Sequence, residues 1–183
     1  TYEMRAETDF VDAHVFVDEL SRQLTADDVI VPESSGGAGE ITYQALRVKY
    51  GQKVKNAAGL GSMGFGVPYA MGACLANGKR RTVLIDGDGA FQLNIQELAT
   101  IAQWKLPIKM FLWMNGGYAS IMGTQRNFFE GNYVAADRES GLAIPDIRAV
   151  AEAYGFRVFH MEHAKELQGV MAETLAAGGP AIC

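Results

Sequence analysis

Short apolar segments of strand length alternate along this chain with longer segments of helical periodicity. The segments of strand character are residues 29–31, 82–85, 108–114, 157–159 and 181–183. Before and between them, we predict helices over residues 10–24, 41–50, 65–77, 94–104, 146–154 and 163–177. Strands that alternate with helices of about 10 to 15 residues indicate right-handed βαβ units. The sequence therefore predicts an α/β fold, in which a three-layer, doubly wound parallel sheet carries helices on both faces.

Three further stretches are interpreted from local composition. Thr8 and Asp9 are predicted to cap the first helix. Residues 33–39 are rich in Ser and Gly and are predicted to form a turn. Residues 118–144 have no clear period, so no helix or strand is predicted there.

The composition indicates one globular domain of 183 residues with a net charge of −5. The 16 Lys and Arg residues form no basic run, so we expect neither a nucleic-acid partner nor a membrane surface. Cys74 and Cys183 are too few for a disulfide framework or a zinc site, which favours the cytoplasm. No apolar run approaches the roughly 20 residues that span a bilayer. Because the chain starts at Thr1 and ends within a strand-like segment, we expect residues 1–183 to be one domain of a longer chain.

Polar and glycine-rich turns follow three of the strand-like segments, and ligands of parallel sheets bind at such turns. The backbone of residues 87–90 offers N–H groups that suit an anion. A carboxylate tolerates a nearby anion when a divalent cation lies between them, so Asp88 implies a metal. Asn115 follows 27 positions later, and Gly117 can offer a carbonyl oxygen. These oxygen ligands suit Mg²⁺, although each turn alone is also typical of an ordinary strand-to-helix connection.

Residues 87–100 and 106–109, taken together with Asn115, resemble the thiamine-diphosphate-dependent enzymes, in particular their acetolactate synthase branch. The resemblance implies the thiamine-diphosphate-binding fold, with thiamine diphosphate and Mg²⁺ as cofactors. It implies that the metal ligands are the Asp88 carboxylate, the Asn115 side chain and the Gly117 carbonyl. The cofactor-binding residues that it implies in these turns are Gly87, Asp88, Gly89, Ala90, Asn115, Gly117 and Tyr118. The family usually has another asparagine where this chain has Met114, a difference that leaves the three ligands in place.

Residues 59–68 resemble the segment of the same family that holds the aminopyrimidine ring of the cofactor. The resemblance implies that the Gly61 carbonyl accepts a hydrogen bond from the 4′-amino group. It implies that Met63 directs its backbone N–H to the ring and its side chain beneath the cofactor, with Ser62 in the same turn. Alternatively, Met63 is a core residue at the start of a helix.

Two further segments carry weaker likeness to the family. Ser34, Ser35 and Gly36 stand where the family has a diphosphate-contacting turn, and a plain surface turn is the alternative. Residues 118–137 resemble the substrate-side loop but lack the tryptophan that is typical of acetolactate synthases. Arg126 in this loop either meets a substrate carboxylate or is a solvated side chain. The substrate therefore stays open.

The resemblance implies a parent enzyme that decarboxylates a 2-oxo acid and ligates the product to an acceptor. The implied partner is a pyrimidine-binding domain, from another subunit of a homo-oligomer, that carries the catalytic glutamate. No catalytic residue is assigned to this chain, and the isolated domain is expected to be inactive. Two alternative functions are compatible with the same fold. The chain is then either a small subunit of a split 2-oxo acid decarboxylase or a non-catalytic assembly module.

An NAD-binding oxidoreductase domain is the remaining alternative. Gly59, Gly61 and Gly64 match the Gly-x-Gly-x-x-Gly fingerprint, and Asp86 stands where a ribose-binding acid is expected. However, the preceding residues 52–58 are too polar for the buried strand that this fingerprint requires. This interpretation also gives Asp88 and Asn115 no role.

Overall fold

In the computed structural model, which describes residues 9–34, 36–57 and 59–183, six strands form one parallel sheet. The strands are β1 (Val29–Pro32), β2 (Lys53–Val54), β3 (Thr82–Gly87), β4 (Ile108–Trp113), β5 (Arg157–Val158) and β6 (Ala181–Ile182). Their order across the sheet is β2-β1-β3-β4-β6-β5, and every neighbouring pair is parallel.

Helices cover both faces of this sheet. The α-helices of the described chain are α1 (Ala13–Gln23), α2 (Gly36–Ala45), α3 (Gly66–Ala76), α4 (Asp88–Phe91), α5 (Leu98–Gln103), α6 (Ala119–Phe128), α7 (Ile147–Ala153) and α8 (Leu167–Ala176). Short 3₁₀ helices cover Gln92–Glu97 and Ala164–Glu166. Residues of α1, α2 and α8 form one core cluster, and residues of α3, α5 and α7 form the other. In the described part of the chain, no helix is long and apolar enough to cross a membrane.

The central strands β1, β3 and β4 are largely apolar, because successive side chains point to opposite faces and both faces are covered. In β1, Val29 and Val31 pack with α3, α5 and α7, whereas Ile30 packs with α1, α2 and α8. In β3, Leu84 and Ile85 are divided between the two clusters in the same way. The predicted three-layer, doubly wound α/β fold is therefore confirmed.

The order of the strands places a crevice between β1 and β3. The chain runs outward from β1 to β2 and then returns across β1 to β3, so the direction of winding reverses between β1 and β3. The connecting helices α2 and α3 lie on opposite faces at this point. Open α/β sheets bind ligands outside the carboxyl ends of the strands at such a switch point. The fold therefore directs attention to the turns that follow Pro32 and Gly87.

Two helix starts differ from the sequence prediction. Asp12 caps α1, because its carboxylate accepts from the backbone N–H groups of His14 and Val15, so the predicted cap at Asp9 is wrong. Thr8, the other predicted cap, lies outside the described residues. The second helix begins at Gly36 rather than at residue 41, because its first turn is made of small residues without an apolar period. It ends at Ala45, and the following backbone is diverted toward α1, where the Arg47 N–H donates to the Ser21 hydroxyl at 3.0 Å.

The other differences concern short or weakly patterned elements. The predicted helix over residues 94–104 is divided between the 3₁₀ helix Gln92–Glu97, which has a non-helical residue at Asn94, and α5. The short helix α4 precedes the 3₁₀ helix. Residues 118–144 contain α6, which buries none of its residues and so lacks an apolar period. The polar segment 52–58 contributes the two-residue edge strand β2, which is not buried. This finding agrees with the argument against a dinucleotide fingerprint, because that fingerprint requires a buried first strand.

Candidate functional site

A cavity of about 270 Å³ lies at the carboxyl ends of β1, β3 and β4. Nine of the residues predicted from the sequence line it, namely Gly36, Gly61, Met63, Gly87, Gly89, Ala90, Asn115, Gly117 and Tyr118. Asp88 is buried between two of them. Ser34 and Ser62 are not among the lining residues, and Ser35 lies outside the described part of the chain. The fold thus gathers most of the predicted site at the switch point.

Asp88 is the first residue of α4, and backbone N–H groups hold its carboxylate from two sides. Its Oδ1 accepts from the Gly89 N–H at 2.7 Å, and its Oδ2 accepts from the Gly116 N–H at 2.7 Å. Burial raises the pKa of Asp88, and the N–H groups of Gly116 and Gly89 oppose that rise. The carboxylate therefore bridges the turns after β3 and β4 in a fixed orientation.

The Asn115 side chain reaches the same point from the end of β4. One terminal atom of its amide lies 2.8 Å from Asp88 Oδ1 and 2.8 Å from the Gly117 carbonyl oxygen. When this atom is nitrogen, it donates to both neighbours, and when it is oxygen, three oxygen atoms converge. Octahedral Mg²⁺ binds oxygen at about 2.0–2.1 Å, which places adjacent ligands about 3 Å apart. The observed separations fit adjacent ligands of one Mg²⁺ ion, and a half-turn of the amide changes the hydrogen-bonded cluster into the ligand set.

The turn after β4 requires glycine at position 117. Gly117 has a φ of +149°, and a Cβ there would lie closer than 3.0 Å to the Ala136 carbonyl oxygen. The Tyr118 N–H donates to the same carbonyl at 2.8 Å, and the Tyr118 ring lies against Gly89. The Ala136 backbone therefore packs against Gly117, whose carbonyl oxygen lies beside the Asn115 side chain.

The glycine-rich turn (residues 59–65) forms another wall of the cavity. Gly61 and Met63 line the cavity, and Met63 is half-buried in the turn before α3 rather than within a helix. The Ser34 hydroxyl donates to the Ser62 carbonyl at 2.9 Å. The Asn94 side-chain amide donates to the Gly64 carbonyl at 2.6 Å. This turn is therefore fixed by side chains from two other segments of the site.

Sequence reasoning did not assign six lining residues, namely Glu33, Gly37, Ala38, Ala119, Ser120 and Ile121. Five of them belong to the first turns of α2 and α6, so two ten-residue helices begin at the cavity. None of the described lining residues is Lys or Arg, and N–H groups at helix starts provide the favourable potential for an anion. The sequence signal for these residues was weak, because neither helix start has an apolar period.

Two buried carboxyl groups, those of Glu33 and Asp86, lie close together where α3 begins. Glu33 is 1% exposed and Asp86 is 0% exposed, and in the described chain Glu33 Oε2 and Asp86 Oδ2 have no hydrogen-bond partner. A Cβ on Gly66 would lie closer than 3.0 Å to both oxygens, so the two groups converge on this glycine. Burial raises the pKa of Glu33, and burial together with the Glu33 charge raises the pKa of Asp86 well above its ordinary value. Asp86 is therefore not accessible to a ribose, contrary to what the dinucleotide alternative requires.

The fold and the site define this chain as a doubly wound α/β domain with a cofactor-type cavity at its switch point. Over residues 35–183 its sequence matches the family described as "Thiamine pyrophosphate enzyme, C-terminal TPP binding domain". The chain belongs to this family, as an acetolactate synthase-like C-terminal domain. The cofactors usual in this family are thiamine diphosphate and Mg²⁺.

Individual relatives give the same result. The acetolactate synthase large subunit of Cyanidium caldarium is 35% identical over 139 residues, which are 76% of this chain and 23% of that protein. The chloroplastic acetolactate synthase 2 of Zea mays is 31% identical over 162 residues, which are 86% of this chain and 25% of that protein. The chain thus spans about a quarter of the length of these curated relatives.

A solved structure extends the likeness to the fold. The Rhodococcus jostii RHA1 thiamine diphosphate-dependent 4-hydroxybenzoylformate decarboxylase matches with a TM-score of 0.79 and 24% sequence identity. The match covers 96% of this chain and 32% of that chain. It supports the assignment of the fold.

Proposed function

We propose that this domain binds the diphosphate end of thiamine diphosphate through one Mg²⁺ ion. The Asp88 carboxylate, the Asn115 side-chain oxygen and the Gly117 carbonyl would be its protein ligands, and diphosphate oxygens and water would complete the octahedron. The observation that carries the proposal is that one terminal atom of the Asn115 amide lies 2.8 Å from both Asp88 Oδ1 and the Gly117 carbonyl oxygen. The backbone N–H group of Ala90 and the starts of α2 and α6 would face the remaining phosphate oxygens.

The glycine-rich turn (residues 59–65) would hold the aminopyrimidine end of the same cofactor. Gly61, Ser62 and Met63 stand there, and two of them line the cavity beside the proposed metal ligands. Because the cavity reaches from Asn115 to Met63, one elongated ligand can contact both ends. The bound cofactor supplies the electron sink for decarboxylation, and the domain supplies binding and orientation.

We further propose that the whole enzyme decarboxylates a small 2-oxo acid and ligates the product to an acceptor, as a lyase or transferase. Its partner domain would be a pyrimidine-binding domain from another subunit of a homo-oligomer, acting in the cytoplasm. Support comes from the acetolactate synthase relatives, of which the chain matches about a quarter. This domain alone would then be inactive, because the acid that activates the cofactor lies on the partner.

A calorimetric titration with thiamine diphosphate tests the cofactor assignment. We expect binding in the presence of Mg²⁺, its loss in EDTA and its recovery when Mg²⁺ is added in excess. Asp88→Ala should abolish Mg²⁺-dependent binding with little loss of fold, because the carboxylate supplies the one charged ligand. Asp27→Ala, which changes an exposed carboxylate at the opposite end of β1, is the control and should bind as the wild type does.

The outcomes separate the alternatives. Equal binding in EDTA, or unchanged binding by Asp88→Ala, would contradict the metal assignment. Binding of NADH in place of thiamine diphosphate would favour the oxidoreductase alternative. A folded chain that binds neither ligand would favour a non-catalytic module over the proposed function.

A further inference from the structure

Two side-chain hydrogen bonds hold the glycine-rich turn (residues 59–65) to the rest of the site. The Ser34 hydroxyl donates to the Ser62 carbonyl at 2.9 Å, from the end of β1. The Asn94 amide donates to the Gly64 carbonyl at 2.6 Å, from the segment that follows α4. Both chain segments that border the switch point therefore contribute to holding one turn.

The contact from Asn94 depends on a break in a helix. Asn94 has φ −131° and ψ 34°, between α4 and α5, where the neighbouring residues are helical. An interruption removes helical hydrogen bonds, so it persists only where another interaction compensates for it. Asn favours such positions because its side chain bonds to nearby backbone in non-helical conformations. Here the break directs the Asn94 amide toward the Gly64 carbonyl. The two segments are so close that a Cβ at position 64 would lie closer than 3.0 Å to Leu93.

The Ser34 hydroxyl is engaged in a hydrogen bond within the protein. It donates to the Ser62 carbonyl, and Ser34 is not among the residues that line the cavity. This geometry favours a bond between two turns over a direct bond to the diphosphate. The same hydroxyl lies 3.4 Å from Glu33 Oε1, which ties it to this buried carboxyl.

We propose that Asn94 and Ser34 are positioning residues that fix the glycine-rich turn for the aminopyrimidine end of the cofactor, an inference that rests on the proposed function. Neither side chain lines the cavity. They act through the carbonyls of Gly64 and Ser62, on either side of Met63. A turn that is fixed before binding loses less conformational entropy when the ligand arrives. The two residues should therefore affect ligands that reach the turn and leave inorganic diphosphate unaffected.

The experiment compares two ligands on each variant, by calorimetry with Mg²⁺ present. For Asn94→Ala and Ser34→Ala we expect the Kd of thiamine diphosphate to rise about fivefold, since one hydrogen bond contributes about 1 kcal/mol. Asn94→Asp should raise the Kd by about tenfold or more, because an isosteric carboxylate cannot donate and faces the Gly64 carbonyl oxygen. The Kd of inorganic diphosphate should change less than about twofold in all three variants.

Asn77→Asp is the matched control. The Asn77 amide also donates to a backbone carbonyl, that of Ala73, at 2.7 Å, and Asn77 lies at the opposite end of α3. This control carries the same substitution and removes the same kind of hydrogen bond. It should leave the ratio of the two Kd values as it is in the wild type.

Amide hydrogen exchange adds a readout that needs no ligand. In Asn94→Asp and Ser34→Ala we expect faster exchange confined to residues 59–66, and no such change in Asn77→Asp. Equal weakening of both ligands, or unchanged binding of both, would overturn the positioning role. If the wild type binds neither ligand, the proposed function fails. Unchanged hydrogen exchange over residues 59–66 would still overturn the positioning role of Asn94 and Ser34.

Discussion

Lys109 is a cation in the interior of the domain. Its side chain is 2% exposed, and its Nζ donates to the carbonyls of Ala177 and Gly179 beyond α8. Burial, together with the positive charges of Arg81 and Arg157, lowers the pKa of Lys109 to about 8. Lys109 therefore links β4 to the segment before β6, although its buried position destabilises its charged form.

This arrangement predicts a specific pH dependence. The pKa in the folded chain is about 8, below the ordinary 10.5, so between these values the unfolded chain binds more protons. The free energy of unfolding then rises with pH across that window. At about 1.4 kcal/mol per pKa unit, the full effect is about 3 kcal/mol. We expect urea unfolding to show wild type gaining stability relative to Lys109→Met from pH 8 to 10. A difference between the two proteins that does not change with pH would contradict this account.

Among single residues, those with a spacing signal were predictable. Asp88, Asn115 and Gly117 follow strands that the sequence marks clearly, and the structure brings them together. Their roles as cofactor ligands stay predictions. Glu33 was not assigned, because a buried carboxyl behind a glycine of another segment leaves no mark in local sequence.

At the scale of elements, the sequence predicted most reliably those strands and helices whose burial leaves an apolar pattern in the sequence. The strands β1, β3 and β4 are covered on both faces and appear as largely apolar runs. The helices that the sequence missed or misplaced have no such signal: α6 buries no residue, and α2 begins with Gly36 and Gly37. These two helix starts are at the cavity, and five of the six lining residues that were missed belong to them.

The start of α3 provides a test at this scale. Gly66→Ala places a methyl group against Glu33 Oε2 and Asp86 Oδ2, and we expect it to destabilise the domain by about 1–3 kcal/mol. Gly72→Ala, on the same helix, has no heavy atom within 4 Å of the added Cβ. It should stabilise by about 0.5–1 kcal/mol, because alanine favours a helix interior. Urea unfolding measures both, and similar effects of the two substitutions would argue against convergence of the carboxyl groups at Gly66.

At the scale of the whole molecule, we propose that the domain carries one side of an active site. The cavity of about 270 Å³ is bordered by turns and helix starts at a single edge of the sheet. The chain spans about a quarter of the acetolactate synthases that it matches. We propose that the pyrimidine-binding partner domain covers this edge of the sheet. The proposal explains why the binding groups lie in this domain, whereas the acid that activates the cofactor is assigned to the partner.

Paramagnetic broadening by Mn²⁺, used in place of Mg²⁺, tests the central claim most directly, because it reports where the cation binds. With thiamine diphosphate present, we expect Mn²⁺ to broaden the amide signals of residues 87–90 and 115–118, and to leave β2 and β5 sharp. In Asp88→Ala this pattern should disappear. Broadening centred elsewhere, or the same broadening without the diphosphate ligand and in the Asp88 variant, would contradict a cofactor site built on Asp88, Asn115 and Gly117.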